Sequence, residues 1–210
     1  MKLLLVGSTG LVGHYVMDLA LADPRVDEII APVRKPLPAH PKLHAPLVDY
    51  DHLPDDADWW RADAVICTLG TTLRVAGSKD AFRRVDHDYP LAVARLARKH
   101  GTSAYALNSA MGADATSGIF YNRVKGELEA HLRQEGFESL TLVRPGLIGG
   151  KREEFRAGER FAAFILNALD PVLPRKWRIN PAERIARSLL DAAVSPLPGV
   201  TIISADKLAG

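Results

Sequence analysis

Short apolar segments alternate with longer segments of helical periodicity along most of the chain. Seven segments are predicted as strands because they are brief and rich in apolar and β-branched residues. They are residues 2–6 (KLLLV), 27–33 (DEIIAPV), 45–50 (APLVDY, a candidate third strand), 64–69 (AVICTL), 103–109 (SAYALNS), 140–146 (LTLVRPG) and 199–204 (GVTIIS).

Between these strands the chain shows the spacing of amphipathic helices. Helices are predicted at residues 11–22, 78–100, 119–135 and 181–194, and Pro90 interrupts or restarts the second of them. An order in which short apolar strands and helices alternate indicates an α/β fold, with a parallel sheet covered by helices on both faces.

Residues 147–180 break this alternation, because they are rich in Gly, Pro, Trp and Arg. We expect them to form a small C-terminal lobe on the substrate side of a single domain that spans residues 1–210. Four aromatic side chains of this stretch suit an apolar substrate pocket, although core packing explains them as well: Phe155, Phe161, Phe164 and Trp177.

The helix predicted at residues 119–135 places a lysine beside its apolar side. Tyr121, Lys125 and Leu128 follow one face at steps of four and three residues. Glu129 and the other charged residues of the helix fall mostly elsewhere and are expected in solvent. Because a buried ammonium is costly without a partner, Lys125 either extends to solvent along its methylene groups or has a functional reason to be there.

Composition and charge exclude several classes of protein. The chain has 210 residues and a net charge of +2, so neither nucleic acid nor a membrane is an expected partner. A single cysteine, Cys67, excludes an internal disulfide and a cysteine-based zinc site, and its apolar surroundings indicate a buried small residue. The His- and Pro-rich stretch 35–46 is expected to be a surface loop, and no metal site is predicted. With no signal peptide or membrane span recognisable, we expect a cytoplasmic location.

A glycine-rich turn follows the first strand. The segment GSTGLVG places Gly7, Gly10 and Gly13 between that strand and a helix. Glycines permit positive φ and close approach of backbone N–H groups to a ligand, and the N-terminus of the helix favours an anion such as a pyrophosphate. The spacing is GxxGxxG rather than GxGxxG, and the alternative is a tight turn without a ligand.

The end of the second strand discriminates between the two nicotinamide dinucleotides. Proteins that bind NAD place Asp or Glu there for the ribose 2′-hydroxyl. Here the strand ends in PVRKP, so that Arg34 and Lys35 are expected to face a 2′-phosphate instead. This favours NADP(H), although Lys35 is equally well explained as a solvated charge.

A site that holds a nicotinamide also needs a proton source near the hydride. A tyrosine with its ordinary pKa of about 10 exchanges protons poorly at neutral pH. An ammonium about 4 Å away contributes roughly 4 kcal/mol at an effective dielectric constant of about 20, or about three pKa units. Lys125, one helical turn after Tyr121, is therefore expected to lower the pKa of Tyr121 to about 7 and to hold the nicotinamide ribose.

Six motifs, taken together and in order, resemble those of the short-chain dehydrogenase/reductase superfamily. They are GSTGLVG, CTLGTT, AFRRVDHDY, NSAMGAD, YNRVKGELEA and LVRPG. The resemblance is to the atypical branch, specifically to the Tat-interacting-protein oxidoreductase group, and covers roughly residues 2–195. It implies a Rossmann-type doubly wound sheet and binding of NADP(H).

The resemblance also implies the residues of the site. Tyr121 matches the proton donor or acceptor of the family, and Lys125 matches its partner. Ile148 is expected near the nicotinamide, whereas Arg156 either reaches the cofactor or substrate or is one solvated charge among many. The predicted cofactor contacts are Gly7, Thr9, Gly10, Leu11, Val12, Gly13, Arg34, Leu69, Gly70, Tyr121, Lys125, Ile148 and Arg156.

Two positions depart from the family pattern. The third catalytic residue of the family is a serine or threonine after the fifth strand, which here is Ser109. Related proteins often carry two serines in a row, and the second position is Ala110. If the second is the working one, the chain lacks the carbonyl-orienting hydroxyl and Ser109 is a turn residue. Asp86 stands where many members have asparagine, and it either serves the proton relay or has a structural role.

These residues favour an NADP(H)-dependent oxidoreductase that acts on a small carbonyl or alcohol, with Tyr121, Lys125 and Ser109 as catalytic residues. The alternative is an NADPH-binding redox sensor with little or no turnover. A sugar-nucleotide epimerase or dehydratase ranks last, because the short C-terminal region leaves little room for a nucleotide-sugar lobe. The expected partner is a small-molecule substrate, and the expected state is a monomer or a homodimer.

Overall fold

A parallel sheet forms the centre of the computed structural model, which describes residues 1–149 and 178–209. Within these residues seven strands pair in the order β3-β2-β1-β4-β5-β6-β9, which confirms the predicted Rossmann-type fold. They are β1 (Lys2–Val6), β2 (Glu28–Ile30), β3 (Leu43–His44), β4 (Ala64–Cys67), β5 (Ala104–Asn108), β6 (Ser139–Arg144) and β9 (Gly199–Ser204). A separate parallel pair joins β7 (Ile148–Gly149) to β8 (Asn180–Pro181).

Helices cover both faces of the sheet because successive strand side chains point to opposite sides. The helices are α1 (Leu11–Ala22), α2 (Leu73–Ala76), α3 (Lys79–Arg83), α4 (Tyr89–Lys99), α5 (Phe120–Leu132), α6 (Ala182–Val194) and α7 (Ala205–Leu208), with a 3₁₀ turn at Asp58–Trp60. Leu3 and Leu5 pack on the first face, with α1 and α6, and Leu4 and Val6 pack on the second, with α4 and α5. None of these helices is long and apolar enough to cross a membrane.

The third strand lies earlier than predicted. It comprises Leu43–His44, whereas the predicted segment 45–50 contributes only a bridge between Val33 and Leu47. Pro46 accounts for the difference, since it has no N–H to donate to a ladder and offers only its carbonyl, which accepts from Val33 N–H at 2.9 Å.

Cys67 at the end of β4 is buried, which confirms its predicted packing role, and burial raises the pKa of its thiol.

The helical stretch before β5 runs from Lys79 to Lys99 and is interrupted by one π turn at Arg84–Asp88, where the Tyr89 N–H bonds to the Arg84 carbonyl. Pro90 follows this turn at once. A proline in a helix has no N–H and its ring crowds the carbonyl four residues earlier, here that of Asp86, which the wider turn accommodates. The turn buries Asp86, which is 1% exposed.

The predicted substrate lobe at residues 147–180 lies mostly outside the described residues, as do Phe155, Arg156, Phe161, Phe164 and Trp177. The strands β7 and β8 lie at the two ends of this segment and pair with each other. The Asn180 side chain accepts from Gly146 N–H at 2.7 Å and donates to the Ala205 carbonyl at 2.9 Å. The lobe itself stays a prediction.

Gly126 provides a test of how α5 is held. A Cβ at this position would lie 2.2 Å from both the Ala115 nitrogen and the Asp114 carbonyl carbon. We expect Gly126→Ala to lower the free energy of unfolding by roughly 1–3 kcal/mol in chemical denaturation, in spite of the higher helix propensity of alanine.

The matched control for this substitution is Gly118→Ala. No atom lies within 4 Å of a Cβ at position 118, so this variant should keep wild-type stability. Equal stability of the two variants would show that α5 does not pack directly on the backbone at Asp114 and Ala115.

Candidate active site

The glycine-rich turn after β1 is shaped by close backbone contacts. Gly7 has a φ of +84°, and a Cβ there would lie 2.7 Å from the backbone of Leu69. A Cβ on Gly13 would lie 2.1 Å from the Gly7 carbonyl oxygen. At Gly10, the residue before α1, the nearest atom to a Cβ would be at an ordinary 3.4 Å, so the fold itself does not demand glycine there.

A cleft of about 430 Å³ opens beyond the carboxyl ends of β1 and β4. It brings together six of the predicted cofactor residues, namely Gly7, Thr9, Gly10, Arg34, Leu69 and Gly70. Leu11, Val12, Gly13, Tyr121, Lys125 and Ile148 are not among its lining residues, and Val12 packs in the core beside α6. The predicted residues that line the cleft thus lie in the turns after β1 and β4, together with Arg34 after β2.

Other residues line the cleft without having been predicted as contacts. Ser8, Thr68, Thr71 and Tyr89 lie within the quoted motifs, whereas Pro32, Tyr50 and Val75 do not. Ser8 is informative because its hydroxyl is buried and has no hydrogen-bond partner among the described residues. Phosphate oxygens accept hydrogen bonds, so a pyrophosphate would satisfy this hydroxyl. The Ser8 hydroxyl and the open backbone at Gly10 fit a dinucleotide.

The mouth of the cleft carries the predicted specificity residue. Arg34 is exposed and lines the cleft beside Pro32 and Val33. Tyr50 fixes this segment, because its hydroxyl donates to the Pro32 carbonyl at 2.9 Å. The guanidinium of Arg34 is thus free of the core and available to an anion.

Lys125 is buried and paired, so it does not extend to solvent. It is 3% exposed, and its Nζ lies 2.8 Å from Oδ1 of Asp86, which is 1% exposed. Oδ2 of Asp86 accepts from the Thr71 N–H at 2.7 Å. Burial disfavours the ammonium, but Asp86 and Tyr121 outweigh this effect and raise the pKa of Lys125, which remains charged.

The ion pair adjoins the cleft at Gly70. A Cβ at Gly70 would lie 3.3 Å from Asp86 Oδ1 and 3.8 Å from Lys125 Nζ. Since Gly70 lines the cleft, a ligand that passes over it comes within reach of the ammonium.

Tyr121 stands one helical turn before Lys125 and is 37% exposed, with its ring against Phe82 at a centroid distance of 5.7 Å. Burial raises the pKa of Tyr121 above its ordinary value of 10.0; Lys125 opposes this rise and Asp86 adds to it. The predicted lowering of this pKa to about 7 is therefore wrong for the protein as it stands. The physical reason is that burial of the phenol outweighs the effect of Lys125, which the nearby charge of Asp86 further reduces.

Ser109 is engaged by a second buried ion pair. Glu129, expected in solvent, is 2% exposed and accepts from Arg144 Nε at 3.0 Å and Nη2 at 2.5 Å. The Ser109 hydroxyl donates to Glu129 Oε1 at 2.5 Å. A serine has one proton to donate, so Ser109 held in this way cannot also donate to a substrate oxygen. Its partner Glu129 follows Tyr121 by two helical turns, or about 12 Å along the axis.

The arrangement combines a cleft lined by the glycine-rich turn and Arg34, a buried ammonium behind its Gly70 wall and a phenol one helical turn away. This set can hold a dinucleotide and exchange a proton with a nearby oxygen atom. Among the described residues no group of three or more His, Cys, Asp or Glu side chains could hold a metal ion.

Comparison with known proteins finds relatives of this chain, although no family model matches it. The mitochondrial protein fmp52 of Emericella nidulans is 34% identical, over 97% of this chain and 92% of that protein. HTATIP2 of Rattus norvegicus is 36% identical, over 77% of this chain and 66% of that protein.

Solved structures of low sequence identity share the fold. An oxidoreductase of the short-chain dehydrogenase/reductase family from Burkholderia thailandensis superposes with a TM-score of 0.66 at 18% identity, over 100% of this chain and 93% of that one. Human SDR39U1, solved with NADPH, gives a TM-score of 0.62 at 18% identity, over 100% of this chain and 76% of that one. The enzyme WbmH of Bordetella bronchiseptica, solved with NAD⁺, gives a TM-score of 0.70 at 14% sequence identity, over 97% of this chain and 75% of that one.

The relatives also correct the predicted location. The fungal relatives of Emericella nidulans, Coccidioides immitis and Aspergillus clavatus are all named as mitochondrial proteins. The expectation of a cytoplasmic location is therefore wrong: the absence of a recognisable targeting signal in the sequence did not justify it.

Both the extent of these similarities and the Rossmann-type sheet agree with the motifs. The chain belongs to the short-chain dehydrogenase/reductase superfamily of NAD(P)-binding proteins, in the group that includes the fmp52 proteins and HTATIP2.

Proposed function

We propose that this chain is an NADP(H)-dependent oxidoreductase that transfers a hydride to or from a small carbonyl or alcohol compound. The observation that carries the proposal is the buried Lys125–Asp86 pair, which lies directly behind Gly70 in the wall of the cleft. A charged ammonium at that point has a use if a dinucleotide lies in the cleft, and no comparable use otherwise.

The cleft supplies separate contacts for each part of the cofactor. The turn at Gly7 to Gly10 and the Ser8 hydroxyl would hold the pyrophosphate at the N-terminus of α1. Arg34 would bind the 2′-phosphate of NADP(H) with its planar guanidinium. Lys125 would bind the nicotinamide ribose next to Gly70. When bound, the nicotinamide supplies or receives the hydride.

Tyr121 would exchange the proton on the substrate oxygen, since its hydroxyl is the acidic group one helical turn from Lys125 on the same side of α5. Its partial exposure leaves it open to substrate and water. The side chain of Lys125 would orient the ribose and stabilise negative charge on Tyr121 after the proton has left.

A second candidate function is an NADPH-binding redox sensor with little turnover. One observation favours it: the Ser109 hydroxyl donates to Glu129, and position 110 is alanine, so the usual second donor to a carbonyl oxygen is missing. The two functions share the cofactor and differ in catalysis.

Cofactor choice tests the cleft. We expect the nucleotide-free protein to bind NADPH more tightly than NADH in calorimetric titrations. Arg34→Ala should weaken NADPH binding at least about tenfold and leave NADH binding unchanged, because one charge-assisted hydrogen-bonding group is worth about 1.5–3 kcal/mol.

The matched control is Lys35→Ala, which removes the adjacent exposed cation. It should change NADPH affinity less than Arg34→Ala does. Equal losses for both variants, or equal losses of NADPH and NADH binding, would contradict a 2′-phosphate contact at Arg34.

The turnover of a Tyr121 variant tests whether this residue exchanges the proton on the substrate oxygen. Tyr121→Phe keeps the ring against Phe82 and removes the hydroxyl, so NADPH affinity should stay within about twofold while turnover on a panel of aldehydes and ketones falls at least about 100-fold. Tyr15→Phe, a change in α1, serves as the control. If the wild type binds NADPH but turns over no carbonyl compound in the panel, the sensor replaces the enzyme.

Substitution of Ser109 distinguishes a structural role of its hydroxyl from a catalytic one. Ser109→Ala leaves buried Glu129 without one donor, and we expect it to lower the free energy of unfolding by roughly 1–3 kcal/mol while turnover changes less than about threefold. Ser188→Ala, which removes an exposed hydroxyl bonded within α6, should be nearly neutral. A hundredfold loss of turnover with unchanged stability would instead assign Ser109 to catalysis.

A further inference from the structure

Asp86 lies between Lys125 and the loop that follows β4. Its two carboxylate oxygens are both engaged, one by Lys125 Nζ at 2.8 Å and the other by the Thr71 N–H at 2.7 Å. Thr71 and its neighbour Gly70 line the cleft, so Asp86 connects the wall of the cleft to the ammonium. An asparagine could accept the Thr71 N–H but would carry no charge.

This charge matters for Tyr121. Opposite charges 2.8 Å apart act on a third group mainly as a dipole, which is much weaker than a single charge. The ionisable groups that bear on the pair are Tyr121 on α5 and the Cys67 thiol on β4, whose pKa burial raises. The thiol is therefore neutral near pH 7. Burial is the largest effect that raises the pKa of Tyr121, Lys125 opposes it, and Asp86 is the charged group that offsets Lys125.

We propose that Asp86 sets the pH range in which each direction of the reaction is fast. By neutralising Lys125 it adds to the effect of burial on Tyr121 and keeps the phenol protonated, so that the site reduces carbonyl compounds at neutral pH and oxidises alcohols only in alkaline solution. The inference rests on the proposed function. Asp86 acts through Lys125 and does not touch the reacting atoms, so it is a positioning residue.

The proton balance follows directly. In reduction the carbonyl π bond breaks, its carbon receives a hydride with two electrons from a reduced nicotinamide dinucleotide, and its oxygen receives the proton of Tyr121. Tyrosinate then takes a proton from water, to which the 37% exposed side chain has access. Oxidation needs tyrosinate at the start. Asp86 leaves the overall equilibrium unchanged, because the two redox couples fix it.

The titration of Tyr121 tests this inference without any substrate. The chain contains five tyrosines, so the tyrosinate absorbance of Tyr121→Phe is subtracted from that of the wild type. We expect Tyr121 to titrate above the ordinary tyrosine value of 10.0 in the wild type. A titration below that value in the wild type would overturn the inference, and this test needs no variant of Asp86.

Asp86→Asn then identifies the cause. It should move the Tyr121 titration to lower pH and move the pH profile of alcohol oxidation in the same direction, each unit being worth about tenfold in rate at pH 7. Asp88→Asn removes a carboxylate of the same turn that bonds His87, and it should leave both profiles in place. An unmoved Tyr121 titration in folded Asp86→Asn whose Lys125 ammonium signal is still present in ¹⁵N NMR would overturn the inference.

The two proposals fail in different ways. A wild type that binds no NADPH contradicts the proposed function whatever Tyr121 does. A wild type that binds NADPH and reduces carbonyl compounds, but whose Tyr121 titrates below the ordinary tyrosine value, keeps the proposed function and overturns the role of Asp86.

Discussion

The ion pair between Lys125 and Asp86 is the interaction on which the account of this site depends. Each partner is almost fully buried, and taking such charges out of water costs several kcal/mol per ion unless geometry and further hydrogen bonds compensate. Here the 2.8 Å contact and the Thr71 N–H provide that compensation. The pair therefore keeps a charged ammonium behind Gly70 in the wall of the cleft, and it also limits the effect of that ammonium on Tyr121.

Local backbone features place this pair. The π turn beside Pro90 turns Asp86 inward, the missing side chain of Gly126 lets α5 approach the chain before it, and the bare backbone of Gly70 leaves the pair in contact with the cleft. One turn further along α5, Glu129 takes the hydroxyl of Ser109. The same helix thus carries the proposed proton donor, a paired cation and a buried acid, and only the first of these is open to solvent.

How much could be predicted from the sequence depended on whether the determinants are local. Alternating apolar runs and the glycine-rich turn predicted the parallel sheet and the turn that lines the cleft, because strand and helix propensity act over a few residues. The burial of Lys125 implied a partner but did not identify Asp86, which lies far earlier in the chain and faces inward because of a π turn. Glu129 in α5 was wrongly expected in solvent because its partner, too, lies outside its own helix: Arg144 is the last residue of β6. Tyr50 and Tyr89 reach the cleft through loop and helix packing, which leaves no periodic signal.

The most direct test of the central claim is to follow the side-chain ammonium signal of Lys125 by ¹⁵N NMR while NADPH is added. The signal is assigned by its loss in Lys125→Met. A buried, charged ammonium paired with Asp86 should exchange slowly with water and remain visible at alkaline pH, and it should shift as NADPH saturates the cleft. An ammonium that exchanges like an exposed lysine, or a signal that NADPH leaves unmoved although it binds, would contradict the account.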